Sequence, residues 1–277
     1  MKKLLITALV ALTFLSFQAK DNVANSQTVD NLKDVSDSLR MDDILKNALS
    51  IAVQNKDKAS FTDEYQVEGD EVYNPTKVFI SLGNLFSANH KHLFIKRTVE
   101  YGDVLIDIYL FKNNKFELVN HNEQSYNTFM SDEIRDINGD GYKDLDIHWY
   151  PLAGCCLKNI HDVYLLNPKN GTFKKKVEFM NPTFYPREGL IRGLTYGYSG
   201  MDAALYTIKW KGSELEGVEG IYQAQFIEDP EYQVNDEALK NVYYRITAKG
   251  DSTKINSIPN EYLTIDQLSL NWFKGGE

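Results

Sequence analysis

The stretch Val104-Leu105-Ile106-Asp107-Ile108-Tyr109-Leu110 decides the fold class. Val104, Ile106, Ile108 and Leu110 alternate with Leu105, Asp107 and Tyr109, the period of two that puts successive side chains on opposite faces of a strand. Outward from it the same alternation recurs: Val78, Ile80 and Leu82 with Phe79 and Ser81; Leu145, Ile147 and Trp149 with Asp146, His148 and Tyr150; Tyr206, Ile208 and Trp210 with Thr207 and Lys209. Between these runs stand Asn113-Asn114, Asn138-Gly139, Asn170-Gly171 and Lys211-Gly212, residue pairs that tolerate the positive φ of tight hairpins. Connections this short force antiparallel neighbours. The sequence therefore predicts a mainly β fold, an antiparallel β-sandwich or partly open barrel. No segment recurs, which argues against a propeller of repeated blades.

One segment departs from this period. Met41, Ile44, Leu45, Ala48, Leu49 and Ala52 recur at helical spacing, with Asp42 and Asp43 placed to complement the positive end of the first turn. This predicts one N-terminal helix, about Met41 to Val53, whose apolar stripe docks on the sheet. Toward the C-terminus, residues 228–250 are richer in polar side chains, with a short helix expected near Asn235 to Asn241 and a strand at Val242 to Thr247. Tyr262 to Phe273 is expected to add a closing strand.

The 277 residues are 43% hydrophobic and 25% charged, an ordinary globular balance that excludes collagen, coiled coil and general disorder. The longest apolar run, Leu4 to Phe17 behind Met1-Lys2-Lys3, is shorter than the roughly 20 residues of a spanning helix and reads as a secretory signal, cut after Ala19. An uncleaved membrane anchor is the alternative. No cysteine stands near the cleavage point to accept a lipid, so the expectation is a periplasmic or secreted protein without stable membrane insertion. Residues 1–19 are then a signal peptide, 20–31 a polar linker and 32–277 one β-rich domain, with 228–277 as a candidate appended part. The intact chain carries a formal charge of −9. An acid-free leader holding two lysines takes this to about −11 on removal, and nucleic acid is an improbable partner.

The most specific chemistry lies in Asp136-Ile137-Asn138-Gly139-Asp140-Gly141-Tyr142-Lys143-Asp144. Side-chain oxygens of Asp136, Asn138, Asp140 and Asp144, with the backbone carbonyl of Tyr142, fall at positions one, three, five, nine and seven of a loop that Gly139 and Gly141 allow to close. Hard oxygen donors at this spacing point to Ca²⁺. The twelfth position is Ile147 and a strand follows, so this is a truncated loop on a β scaffold, with affinity expected in the ~10⁻⁴–10⁻³ M range of extracellular modules. An Asx-rich turn without metal is the plainer alternative.

Other residues carry weaker signals. The two cysteines, Cys155 and Cys156, are neighbours, read either as packed thiols or as a vicinal disulfide; they are too few for a tetrahedral cysteine zinc site. His90 and His92 share a strand face without an evident third metal ligand and read as solvated. His148 and His161 are each a possible general base, but no nucleophile or paired carboxylate stands at a recognisable spacing, so no enzyme activity is expected. Lys174-Lys175-Lys176 reads as a solvated hairpin end. Among the 17 tyrosines, Tyr196 and Tyr198 occur beside Ser199-Gly200, a loop expected to display aromatic rings to a partner.

From Glu133 to about Gly217 the order of features resembles a family of exported bacterial proteins related to lysozyme inhibitors, including a periplasmic immunity protein against a lysozyme-like effector of type IV secretion. The resemblance rests on the Asp136 to Leu145 loop, Gly154-Cys155-Cys156, Val163-Tyr164-Leu165-Leu166 with Asn167-Pro168, Asn181-Pro182 with Phe184, and Tyr206 to Trp210. It implies a calcium-stabilised β domain that binds a lysozyme-like glycan hydrolase and blocks its cleft. In such families the blocking loop carries Ser-Gly followed shortly by Tyr; here Ser199-Gly200 is followed by Met201-Asp202. The expectation is thus a calcium-binding inhibitor or immunity protein that uses Tyr196, Tyr198, Ser199 and Gly200. The alternative is a calcium-dependent glycan-binding or adhesion module, with cell-wall glycan as its partner.

Overall fold

A computed structural model of the protein describes residues 27–152, 158–196, 203–228, 239 and 241–275. It is mainly β, with 53% strand and 14% helix, in antiparallel sheets that stack like a sandwich and do not close into a barrel. The expected signal peptide and Cys155-Cys156 lie outside the described residues, as does nearly all of the expected helix at 235–241. Among the described residues no helix is long and apolar enough to cross a membrane.

The N-terminal helix α1 spans Gln27–Gln54 and reaches back well before Met41, through residues 27–31 of the expected linker. Val29, Leu32, Val35 and Leu39 recur three or four residues apart before Met41, a helical spacing that the sequence reading passed over among the surrounding polar residues. Ile44, Ala48 and Ala52 are buried, and the two alanines let the helix settle close upon the sheet. Beneath it lies a five-stranded meander: β1 (Phe61–Val67), β2 (Thr76–Ser87), β3 (His90–Val99), β4 (Asp103–Lys112) and β5 (Lys115–Ser125), each strand paired with the next. Asn113 and Asn114, at φ 52° and 61°, make the two-residue turn between β4 and β5.

The alternation in β4 is read by two cores. Val104, Ile106 and Ile108 face Leu145, Ile147 and Leu166 of the next sheet, while Tyr109 faces the helix side with Val78, Ile80, Leu93 and Ile95. That next sheet runs in the order β11 (Val177–Met180), β8 (Ile160–Tyr164), β7 (Asp144–Trp149) and β6 (Phe129–Arg135). A two-strand flap, β9 (Leu166–Asn167) and β10 (Thr172–Phe173), leaves it at Leu166. A third sheet, β12 (Pro182–Tyr185), β13 (Leu190–Thr195), β14 (Ala204–Lys211), β15 (Glu214–Gln223), β16 (Tyr243–Thr247) and β17 (Ser252–Ile255), packs on the second through Ile137, Val163, Phe179, Ile191 and Trp210. Helix α2 (Ala224–Glu228) follows β15. Buried Asn181, at φ 46°, links the second and third sheets: its Oδ1 accepts from the Asn159 N–H at 2.8 Å and its Nδ2 donates to the Leu194 carbonyl at 3.3 Å.

The C-terminal segment corrects the sequence reading. Tyr262 to Phe273 is no strand: a 3-10 turn covers Asn260–Tyr262 and helix α3 covers Gln267–Phe273. Asp266 caps α3, its carboxylate accepting from the Ser269 N–H at 2.8 Å. Tyr262, Ile265, Leu270 and Phe273 enter one core with Leu194, Leu205 and Ile221, and β16 with β17 extends the third sheet.

His92 also departs from expectation. It is fully buried rather than solvated, with its Nε2 bonded to the Gly171 carbonyl at 2.8 Å and its ring edge-on to Phe86. Burial holds the imidazole pKa below its ordinary value, so the folded protein keeps His92 neutral. The unfolded chain takes up that proton near pH 6.5, and stability must therefore fall as pH drops through that point. Chemical denaturation between pH 5 and 7.5 should show wild type losing up to about 1.4 kcal/mol per pH unit more than His92→Gln on acidification. His92→Gln should flatten the slope, and equal slopes would remove His92 as its source.

Candidate functional site

The candidate site is the 136–143 loop between β6 and β7, together with Asp144 at the start of β7. Its local fold follows from Asx chemistry, in which short side chains substitute for backbone acceptors. Asp136 accepts from the N–H of Gly139 at 2.7 Å and of Gly141 at 3.0 Å. Asn138 Oδ1 accepts from the Asp140 N–H at 3.1 Å, and Asp140 Oδ1 from the Tyr142 N–H at 2.9 Å. Gly139 and Gly141 take φ 81° and 85°, the left-handed conformations on which the sequence reading relied.

Asp144 differs from the other two acids of the loop. It is fully buried, and its two oxygens accept from the Ile137 N–H at 3.0 Å and the Leu166 N–H at 2.9 Å. One carboxylate thus ties the loop to the start of the flap. Burial pushes its pKa up to about 7; the two N–H donors oppose this, and the nearby charges of Asp140 and Asp136 add to it. No lysine or arginine side chain pairs with Asp136, Asp140 or Asp144 among the described residues.

The loop also joins neighbouring sheets. Lys143 N–H donates to the Phe86 carbonyl of β2 at 2.9 Å, and the Tyr142 ring packs into the core between the first two sheets. At Gly139 the backbone meets the turn between β12 and β13 so closely that a Cβ there would stand 1.9 Å from the Pro186 carbonyl oxygen. Ile147, the residue that replaces a twelfth-position ligand, is fully buried in the core.

The expected ligands Asp136, Asn138, Asp140, Tyr142 and Asp144 therefore share one loop, with the side-chain oxygens engaged as turn acceptors. Among the described residues no three histidine, cysteine, aspartate or glutamate side chains form a metal-holding cluster. The donor set still suits a hard cation: one amide and three carboxylates, all oxygen, with no cationic side chain on the acids.

The expected partner loop is not brought together. Tyr196 is 8% exposed and its ring lies 5.0 Å from that of Trp272 in the C-terminal core, so it is a packing residue and not a displayed anchor. The glycine-bearing sequence suggests exposure, whereas Trp272 of helix α3 packs on Tyr196. Tyr198, Ser199 and Gly200 lie outside the described residues.

The sequence reading also missed two polar clusters. Asp146, buried in β7, accepts from Arg135 at 2.6 Å and pairs with His161 Nδ1 at 2.9 Å. Burial raises its pKa, but the hydrogen bond and charge of His161, then those of Arg135, hold it below the usual carboxylate range. His148 and His161, opposite each other on β7 and β8, stack at 4.4 Å with nearly parallel rings. On the helix side of the first sheet, Arg97 and Asp107 form a buried pair at 2.6 Å, and His121 Nδ1 lies 2.6 Å from the other Asp107 oxygen. Asp107 inside an apolar alternation was the available signal. The lysine run is exposed as expected, with Lys176 reaching Asp162 at 2.9 Å.

The two loop glycines make separable predictions. An alanine at Gly141 meets open space and costs only its left-handed backbone, about 1–2 kcal/mol. An alanine at Gly139 must also displace the Pro186 backbone, so Gly139→Ala should cost about 3 kcal/mol or more. Urea unfolding of both variants checks this, and equal costs would mean that the loop does not rest on the Pro186 turn.

Set against known proteins, the chain matches no family model, and no curated protein or solved structure shows significant similarity to it.

Proposed function

We propose that the protein is an exported, non-catalytic binding module that takes up calcium in the 136–144 loop and inhibits a lysozyme-like peptidoglycan hydrolase. The observation that carries this reading is Asp144, a fully buried carboxylate beside two further acids, with backbone N–H groups as its partners and, among the described residues, no cationic side chain paired to any of the three. A bound cation supplies the charge that this arrangement lacks, and its oxygen donors favour Ca²⁺ over softer metals. The hydrolase partner comes from the ordered resemblance between Glu133 and Gly217. With Tyr196 in the core, the blocking contact falls to Tyr198, Ser199 and Gly200. The acidic chain complements a basic hydrolase and would raise the rate of encounter.

A second reading, calcium-dependent glycan binding, is favoured by the burial of Tyr196, which leaves the presumed inhibitory loop one aromatic ring poorer. Two measurements separate the readings. A cation that binds only the folded chain stabilises it by about 2.7 kcal/mol at a hundredfold excess over Kd. Wild type should therefore melt at higher temperature with calcium than with chelator, and Asp140→Ala should lose that difference. In parallel, wild type should protect cell walls from a muramidase at micromolar concentration, while Tyr198→Ala should lose protection with its melting temperature unchanged. Coincident melts reject the metal. Failure to inhibit muramidases of any class, with chelator-sensitive retention on cell-wall glycan, transfers the function to the second reading.

A further inference from the structure

The first sheet is wider than the helix that covers it. Helix α1 packs against β2 and β3 in a core that Tyr109 of β4 and Phe116 of β5 also enter, and among the described residues the rest of the β4–β5 face lies beside the helix. A cleft of about 750 Å³ occupies this space, within the roughly 300–1,000 Å³ typical of small-ligand sites.

The floor is built around charges that already neutralise one another. Arg97 and Asp107, each 3% exposed in its side chain, pair at 2.6 Å, and Arg97 Nη1 also holds the Met41 carbonyl of α1 at 2.8 Å. Arg97 Nε–H is buried without an acceptor at the base of the cleft, among the described residues. Asp107 engages His121 at Nδ1, which leaves the Nε2 edge of the exposed ring to hydrogen-bond a ligand. Arg40 on the wall spends its guanidinium on the Asn74 and Glu68 carbonyls and over the Tyr73 ring at 4.9 Å. The charges left for a ligand are acidic: Asp42, Asp103 and Glu123.

The rim has the opposite character. Val72, Tyr101 and Leu118 line the cleft and are 62%, 71% and 54% exposed. Tyr101 holds φ 58°, an uncommon conformation for an aromatic residue, and its ring lies edge-on to Tyr126 at 5.8 Å. A ligand that satisfies such a site needs an apolar face for the rim and hydroxyls for His121 and the carboxylates. It must also lack negative charge. We propose that this cleft binds a neutral oligosaccharide, whose ring C–H face lies on Tyr101 and Leu118 and whose hydroxyls bond to His121, Asp103 and Glu123. The site stands on the helix side of the first sheet, whereas Tyr142 of the 136–144 loop packs on its other side. The inference rests on neither the calcium nor the hydrolase reading.

Calorimetric titration of the full chain, in chelator and without hydrolase, tests it. The probes are cellotriose, maltotriose, triacetylchitotriose and, as a cationic control, spermidine. At least one trisaccharide should bind saturably at one site per chain. Glu123→Gln and Tyr101→Gly should each weaken it by about tenfold or more, the loss of about 1.4 kcal/mol, without lowering the melting temperature. Both positions are exposed, and glycine adopts the φ of Tyr101 freely, so these variants keep the fold. No binding by any trisaccharide, binding by spermidine alone, or trisaccharide binding untouched by both variants overturns the proposal. Because calcium and hydrolase are absent from every arm, none of these outcomes is a failure of the inhibitor reading.

Discussion

The carboxylate of Asp144 is the point on which the arrangement of the sheets depends. A buried carboxyl resists ionisation, which raises the pKa of this one to about 7, and its partners among the described residues are two backbone N–H donors, from Ile137 on one side and Leu166 on the other. Those bonds close the β6–β7 loop and fix where the flap leaves the second sheet. The closed loop then touches the first sheet through Lys143 and the third through Gly139, so one nine-residue segment meets all three. The hydrophobic cores hold each adjacent pair of sheets, but the loop sets their mutual placement.

Such an arrangement concentrates negative charge where the chain is least able to solvate it. Asp136 and Asp140 are needed as turn acceptors, and their charges fall on Asp144. The first sheet solves a comparable problem differently, burying Arg97 with Asp107 so that the pair is neutral and anchors α1 through Met41. A buried pair of this kind contributes less to stability than to fixing geometry. The contrast between the two buried aspartates, one compensated by a side chain and one not, is the physical basis for assigning a cation to the loop.

The fold was legible wherever side chains alternate with the period of a strand. Strands β2, β4, β7 and β14 carry that alternation, although β4 meets a core on each face, and Asn113-Asn114 and Asn170-Gly171 turn where their φ values permit. Legibility failed where local pattern and tertiary packing diverge. The turns of α1 before Met41 carry Val29, Leu32, Val35 and Leu39 at helical spacing but diluted by polar residues, and Tyr262 to Phe273 alternates loosely enough to resemble a strand although its buried residues follow a helical turn. The 136–144 loop was read correctly as an oxygen-rich turn because its chemistry is local in sequence. The Arg97, Asp107 and His121 cluster was not, since its members come from three strands whose register only the folded sheet defines. Tyr196 was misread for the same reason, being covered by a helix some seventy residues farther along the chain.

The central claim is that a cation in the 136–144 loop secures the junction of the three sheets, and amide hydrogen exchange with and without calcium measures it most directly. The N–H groups of Ile137 and Leu166 both bond to Asp144, so calcium should slow their exchange together, along with that of Lys143 at the Phe86 carbonyl. Unchanged exchange at all three amides, in protein saturated with calcium at millimolar concentration, would contradict the account.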